Sequence, residues 1–303
     1  MKLGQVLKMS EFISNSIPLV GLKADHFRHP LDQMATTNLK QIPGLDLMVR
    51  GLLGSVAEKF FALNNLAASV RVGEKQLPHL YQLLLDACKI LDLEAPELYI
   101  QQNPQPNAYT FAMRGKKPFM VMHTSLVDML TPAEIQAVMA HELGHLKCEH
   151  GVYLTLANIM VLAAGLIPNW GAVLTQSLQS QMLEWVRCAE FSCDRAALLA
   201  VQDSKVVMSV LMKLAGGSPQ LAPLLNLDAF IDQVREYDRL GEDEMGAMLK
   251  NLQTQNLTHP VPVLRAREID RWSDSQTYQN LLKGRKNAYN LNTEENKGGW
   301  RNW

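Results

Sequence analysis

The stretch AVMAHELGHLKCEHG, Ala137 to Gly151, sets His141, Glu142 and His145 in an otherwise apolar run. On an α-helix, positions i and i+4 lie one above the other on one face, so two imidazoles spaced this way can grip a single ion. A glutamate beside the first histidine can then take a proton from a water that the ion activates. This is H-E-x-x-H, the spacing that zinc-dependent hydrolysis of peptide bonds uses. A catalytic zinc commonly takes three protein ligands and leaves a fourth position for water, so two histidines predict a further ligand elsewhere.

Three residues compete for that place. His150 follows His141 by nine residues, but Cys148 and Gly151 stand where a longer three-histidine motif needs glycine and histidine. His150 therefore reads as a helix-end residue. Cys148 would crowd the same turn and reads as a buried thiol. In AEFSCDRAA, Glu190 and Asp194 are again at i and i+4, among Ala189, Phe191, Ala196, Ala197, Leu198 and Leu199. Carboxylates on so apolar a helix need partners. Glu190 is the third-ligand candidate, and Asp194 is placed to accept a hydrogen bond from the far nitrogen of a ligand histidine.

These residues need helices to carry them. TPAE, Thr131 to Glu134, combines a capping threonine, a first-turn proline and a capping-box glutamate, so a helix starting there bears the histidine motif. Helical spacing also covers the segment after Pro78 and residues 175–201, 203–215, 242–255 and 261–272. Residues 1 to about 40 look loop-rich, and 44–70 read as one or two amphipathic helices. ELYIQQ, NAYTFAM and PFMVMHT are short and rich in aromatic and β-branched residues. The last two flank RGKK, Arg114 to Lys117, and predict a β-hairpin. The apolar segment 152–167 is short of the roughly 20 residues a membrane span needs. It reads as a buried helix, with membrane-surface contact as the second reading.

Bulk composition is that of a globular chain: 303 residues, 47% hydrophobic, 19% charged, formal net charge −1. No basic run with interleaved aromatics marks a nucleic-acid partner. Four cysteines without a CxxC pair fit reduced thiols in a cytoplasmic setting better than a disulfide framework.

HELGH, then E-x-x-x-D about 45 residues on, then THPVPVLR, together with NAYT ahead of the first motif, resembles the HtpX and CAAX-prenyl-protease type of gluzincin zinc endopeptidase. The likeness covers roughly residues 76 to 272. It implies an α+β, mainly helical fold: a zincin-like core with a small antiparallel sheet or hairpin before the HExxH helix. It implies one Zn2+ per chain on His141, His145 and Glu190, with Glu142 as general base. It places His259 near the reacting centre as an oxyanion donor, and matches Arg265 to an arginine that pairs with Asp194 or another buried carboxylate. Asn107, Ala108 and Tyr109 fall on the strand whose edge would bind an extended peptide. The expected substrate is a protein or peptide, unfolded or damaged protein included. A zinc-stabilised scaffold or membrane-associated chaperone is the alternative. HtpX-type members carry transmembrane helices, for which this sequence offers no convincing counterpart, so a soluble or peripheral variant is expected. The prenyl-protein substrate is not carried over. The expected organisation is an N-terminal segment (1–75), a peptidase domain (76–278) and a polar, disordered tail (279–303).

Overall fold

A computed structural model describes residues 16–41, 63, 66–111, 117–151, 171–254 and 259–284. The apolar stretch 152–167, the turn residues 114–116, most of 44–70 and the tail from 285 lie outside the described residues. In chain order the elements are α1 (Pro30–Lys40), β1 (Val70–Arg71), α2 (Pro78–Leu91), β2 (Glu97–Gln101), β3 (Ala108–Phe111), β4 (Phe119–His123), α3 (Thr124–Met129), α4 (Pro132–Lys147), α5 (Gly171–Val201), α6 (Ser204–Gly216), α7 (Leu227–Arg239), α8 (Glu244–Thr254), α9 (Pro262–Ser273) and α10 (Gln276–Leu282).

Helix α4 begins where its sequence says it should. Thr131 Oγ1 accepts from Glu134 N, and Thr131 N donates to Glu134 Oε2 at 2.7 Å, with Pro132 in the first turn. The same glutamate fastens a neighbour. Lys213 Nζ of α6 donates to both its oxygens at 2.7 and 2.6 Å, and Ser209 Oγ to one of them at 2.6 Å. One carboxylate thus caps α4 and docks α6 on it.

Helix α5 is the centre of the molecule. Every residue from Trp185 to Ala200 is buried. A helix surrounded on all sides has no solvated face, so its polar side chains must find protein partners. Arg187, Glu190, Ser192, Asp194 and Arg195 all lie in this stretch. Helix α4 packs most extensively on α5, and α1, α2, α6 and α9 also contact it. The α4–α5 approach depends on Gly144: a Cβ there would stand 2.9 Å from Cys193 Cα and 3.0 Å from Ala196 Cβ.

The sheet runs β1-β2-β4-β3. The expected hairpin is present, β3 pairing antiparallel with β4 from Ala108↔Met122 to Phe111↔Phe119. The sheet continues past it as a mixed one, since β2 runs parallel to β4 and β1 antiparallel to β2. Strand alternation gives each face its task. Met120 and Met122 enter the main core, whereas Phe119 and Val121 cluster with Tyr99 and Phe111 on the other side. The strand nearest α4 is β3, the outer member at that end.

Three features differ from expectation. Residues 30–40, read as part of a loop-rich stretch, form helix α1 against α5, because Asp32 and Thr36 recur at helical spacing and are both buried. Helix α7, capped by Asn226 and amphipathic, was not read from the sequence. The expected boundaries at 75 and 278 are crossed by structure: β1 joins the sheet, and α10 carries Tyr278 and Leu281 into the core.

Gly144→Ala is expected to cost about 1–3 kcal/mol by overpacking, measured as a lowered denaturant midpoint, because the added methyl meets backbone rather than a movable side chain. Removing one partner of the buried pair in Glu134→Ala should cost about 3–5 kcal/mol. Burial alone would raise the Glu134 carboxyl pKa, but Lys213, Ser209 and the Thr131 amide outweigh it and hold it below the ordinary value. The pair's contribution is therefore complete at neutral pH and is lost as pH falls through the lowered folded-state pKa. The wild type should lose part of its stability on acidification that Glu134→Gln, already without the charge, does not.

Candidate functional site

The two helices that pack most extensively on each other also carry the candidate residues. His141 and His145 stack along α4 with ring centroids 5.3 Å apart. Across from them, Glu190 of α5 places Oε2 3.4 Å from His141 Nε2 and Oε1 3.3 Å from His145 Nε2. Two imidazole nitrogens and a carboxylate thus converge from two helices. Glu190 is 1% exposed, and its Oε2 lacks a hydrogen bond of good geometry although His259 Nδ1 lies 2.8 Å away and Arg265 Nη1 3.4 Å away. A buried anion so placed is suited to a divalent cation between it and the histidines.

The cationic surroundings set the proton affinities. Burial alone would raise the Glu190 pKa, but the charges of His259 and His141 and the bonds from His141 and His145 hold it well below the ordinary value. For His141, burial favours the neutral ring, yet the Glu190 charge and the Asp194 bond prevail and push its pKa up to about 10. The Glu190 charge raises the His259 pKa as well, against partial burial.

Asp194 and Arg265 meet beside His141. Asp194 Oδ1 lies 3.0 Å from His141 Nδ1, the nitrogen turned away from Glu190. Arg265, from α9, clamps Asp194 with two hydrogen bonds, Nη2 to Oδ1 at 2.6 Å and Nε to Oδ2 at 2.8 Å. That planar fork fixes the carboxylate, and the carboxylate fixes the ring.

Glu142 sits beside the histidines on α4 and lines a cavity of about 380 Å³. Thr110 Oγ1 on β3 donates to Glu142 Oε2 at 2.9 Å, a contact that no motif announced. Asn107 and Ala108 line the same cavity, as do His259, Arg265 and a set of aliphatic side chains from α3, α4 and α6. Tyr109 does not: the strand alternates, and its ring lies edge-on to His123.

Cys193 Sγ comes within 4.8 Å of ring nitrogens of both His141 and His145, which also makes it a conceivable ligand. It lies 3.7 Å from His150 Nδ1, however, on the side of His145 away from Glu190, and burial pushes its thiol well above the ordinary value. Metal ligation needs the thiolate, the form that this burial disfavours. Cys148 is a free, buried thiol, as read from the sequence. His150 is more than the helix-end residue expected. It is fully buried, 3.1 Å from His145 Nδ1 and 3.1 Å from Asp32 Oδ2. Its place five residues after His145 was the available signal; that of Asp32 lay in no pattern.

Comparison with known proteins gives the chain a family. The model of peptidase family M48 matches residues 74–273. Plastoglobule-localized metallopeptidase 48, chloroplastic, of Arabidopsis thaliana is 55% identical over 262 residues, 86% of this chain and 76% of the relative. Protease HtpX homolog 2 of Methanosarcina mazei is 30% identical over 169 residues, 48% of this chain and 58% of that protein. The HtpX homolog of Moorella thermoacetica is 24% identical over 176 residues, 50% of this chain and 59% of that protein. No solved structure matches.

Because the His141 pKa is pushed up to about 10, its ring must lose a proton before it can ligate. Loading metal-free protein with a divalent ion at pH 8 should release on the order of one proton per site from this ring, read in a weakly buffered indicator titration. The part of the release that comes from this ring should fade as the pH is raised past about 10. Uptake without proton release at pH 8 would contradict the charge state described.

Proposed function

This chain belongs to peptidase family M48 and is a metalloprotease hydrolase, and from that premise we propose a zinc endopeptidase in which His141, His145 and Glu190 hold the metal and Glu142 is the general base. The observation that carries the reading is the convergence of Glu190 on both Nε2 atoms at 3.3–3.4 Å, with Glu142 on the same cavity wall. Zinc held there supplies a Lewis acid that lowers the pKa of a water to about neutrality and polarises a carbonyl.

The chain's own residues do the rest. Glu142 removes the proton of the attacking water and returns it to the leaving amine. Thr110 holds Oε2 of that carboxylate and leaves the other oxygen to carry the proton. His259 has Nδ1 against Glu190, which leaves Nε2 to donate to the developing oxyanion at the exposed rim. Arg265 and Asp194 keep the His141 ring in its ligating orientation.

Substrate handling follows from the sheet. As the outer strand beside the cleft, β3 offers its edge to an extended peptide, which would pair main chain to main chain along Asn107, Ala108 and Tyr109. Tyr109 contributes backbone only, since its ring is on the far face. Main-chain pairing reads little side-chain detail and suits unfolded or damaged protein. The aliphatic wall, including Leu126, Val207, Leu211 and Leu214, favours an apolar substrate side chain next to the scissile bond.

Where the enzyme works is a further part of the reading. No described helix is long and apolar enough to cross a membrane. The Arabidopsis relative is named for plastoglobules, and Met245, Met248 and Leu249 make an exposed apolar face on α8. Together these support peripheral attachment to a lipid surface over a freely diffusing cytoplasmic enzyme.

Casein cleavage by the wild type should stop with a chelator and return with zinc. Glu142→Gln should keep its metal content and lose about 10²–10⁴-fold in kcat. Retained cleavage in that variant would remove Glu142 as the base. A folded wild type that binds zinc but cleaves nothing would favour a zinc-stabilised scaffold instead.

A further inference from the structure

Behind His145 lies a second buried group that the proposed chemistry does not use: Asp32, His150, Arg28, Thr36 and Ser192, brought together from α1, the end of α4 and α5. His150 Nδ1 is 3.1 Å from His145 Nδ1, and His150 Nε2 is 3.1 Å from Asp32 Oδ2. Asp32 is fully buried and accepts from three further donors: Ser192 Oγ at 2.6 Å, Thr36 Oγ1 at 2.9 Å and Arg28 Nη1 at 3.1 Å. Trp185 closes over His150 edge-on, with its own Nε1 donating to Thr36 Oγ1.

The directions of these bonds can be worked out. His145 turns Nε2 towards Glu190 Oε1. If Nε2 ligates, the neutral ring carries its proton on Nδ1 and donates to His150 Nδ1. His150 must then hold its own proton on Nε2, and an ionised Asp32 is the acceptor that this tautomer needs. The arrangement repeats, one residue longer, the Arg265–Asp194–His141 chain on the other ligand. We infer that His150 and Asp32 are positioning residues for the metal: the relay Asp32–His150–His145 fixes the tautomer and ring plane of His145, and helix α1 thereby belongs to the metal-binding unit. Asp32 lies outside the residues matched by the family model, 74–273, so this support comes from the N-terminal segment of this chain.

Asp32, Cys148 and His150 also bring ligand atoms within 4.8 Å of one another, which raises a second metal site as a rival. Arg28 argues against it. Its guanidinium donates to Asp32 and, at 2.8 Å, to the Cys148 carbonyl, so a fixed cation already occupies the neighbourhood. Both carboxylate oxygens of Asp32 already accept from protein donors, as a buried hydrogen-bond network requires.

The inference rests on His141, His145 and Glu190 being the zinc ligands. In the full-length protein, His150→Phe and Asp32→Asn should raise the zinc dissociation constant, measured by chelator competition, by about 10–100-fold. The melting temperature of each zinc-free variant reports folding separately. His150→Gln, whose carbonyl can still accept from His145 Nδ1, should recover part of the affinity. Cobalt-substituted wild type and His150→Phe should differ in their visible absorption bands. A wild type that takes up no zinc overturns the ligand assignment and the relay together. Wild-type affinity and an unchanged cobalt spectrum in folded variants overturn the relay alone. So does a second zinc per chain that disappears with His150. Should the variants fail to fold, nitrogen-15 spectra of the zinc-loaded wild type decide. Protons on His145 Nδ1 and His150 Nε2 are expected, and a bare nitrogen at either position refutes the relay.

Discussion

A carboxylate in the middle of a helical stretch with no solvated face, Trp185–Ala200, is the constraint around which this molecule is built. Glu190 cannot be ionised at 1% exposure unless positive charge or hydrogen-bond donors come to it. They arrive from three directions: His141 and His145 from α4, Arg265 from α9, and His259 from the segment ahead of α9. Asp194, one turn further along α5, poses the same problem and is met by Arg265 and His141. The requirement to neutralise two buried acids thus fixes where α4 and α9 sit against α5. Packing follows suit, with Gly144 permitting the contact that brings the α4 histidines within reach of Glu190.

The site and the scaffold are therefore hard to separate. Glu134, far from the reacting centre, shows the same economy: it completes the α4 cap and anchors α6, whose Val207, Val210 and Leu211 then form part of the cavity wall. The sheet supplies the opposite wall, with Thr110 steadying Glu142 from β3. The Glu134 network and the sheet thus each stabilise an element and set the position of residues lining the cleft.

What could be read from the sequence was what is local or periodic. His141, Glu142 and His145 announce themselves by helical spacing, and Thr131, Pro132 and Glu134 mark the start of their helix. Glu190 and Asp194 were found because charge on an apolar helix is anomalous. The hairpin followed from composition. His259 and Arg265 came only through a family resemblance, because nothing near them in sequence demands a place beside the acids of α5. Thr110 and Asp32 were invisible. A threonine in a strand and an aspartate in a loop-rich segment are ordinary until the fold sets them beside residues 32 and 160 positions away, respectively. His150 fails ligand spacing, and its contact with the other nitrogen of His145 follows no spacing rule. Helix α7 was missed for want of core residues: only Phe230 and Val234 are buried in it.

The buried stretch Trp185–Ala200 has a consequence for biosynthesis. A ribosome extrudes α4 well before α9, and Arg265 trails Asp194 by 71 residues. Until that arginine emerges, the acids of α5 have no complete set of counter-charges, and the helix has no stable interior to enter. Contacts so distant along the chain form late. A half-made chain therefore holds His141, Glu142, His145 and Glu190 without the Arg265 clamp on Asp194.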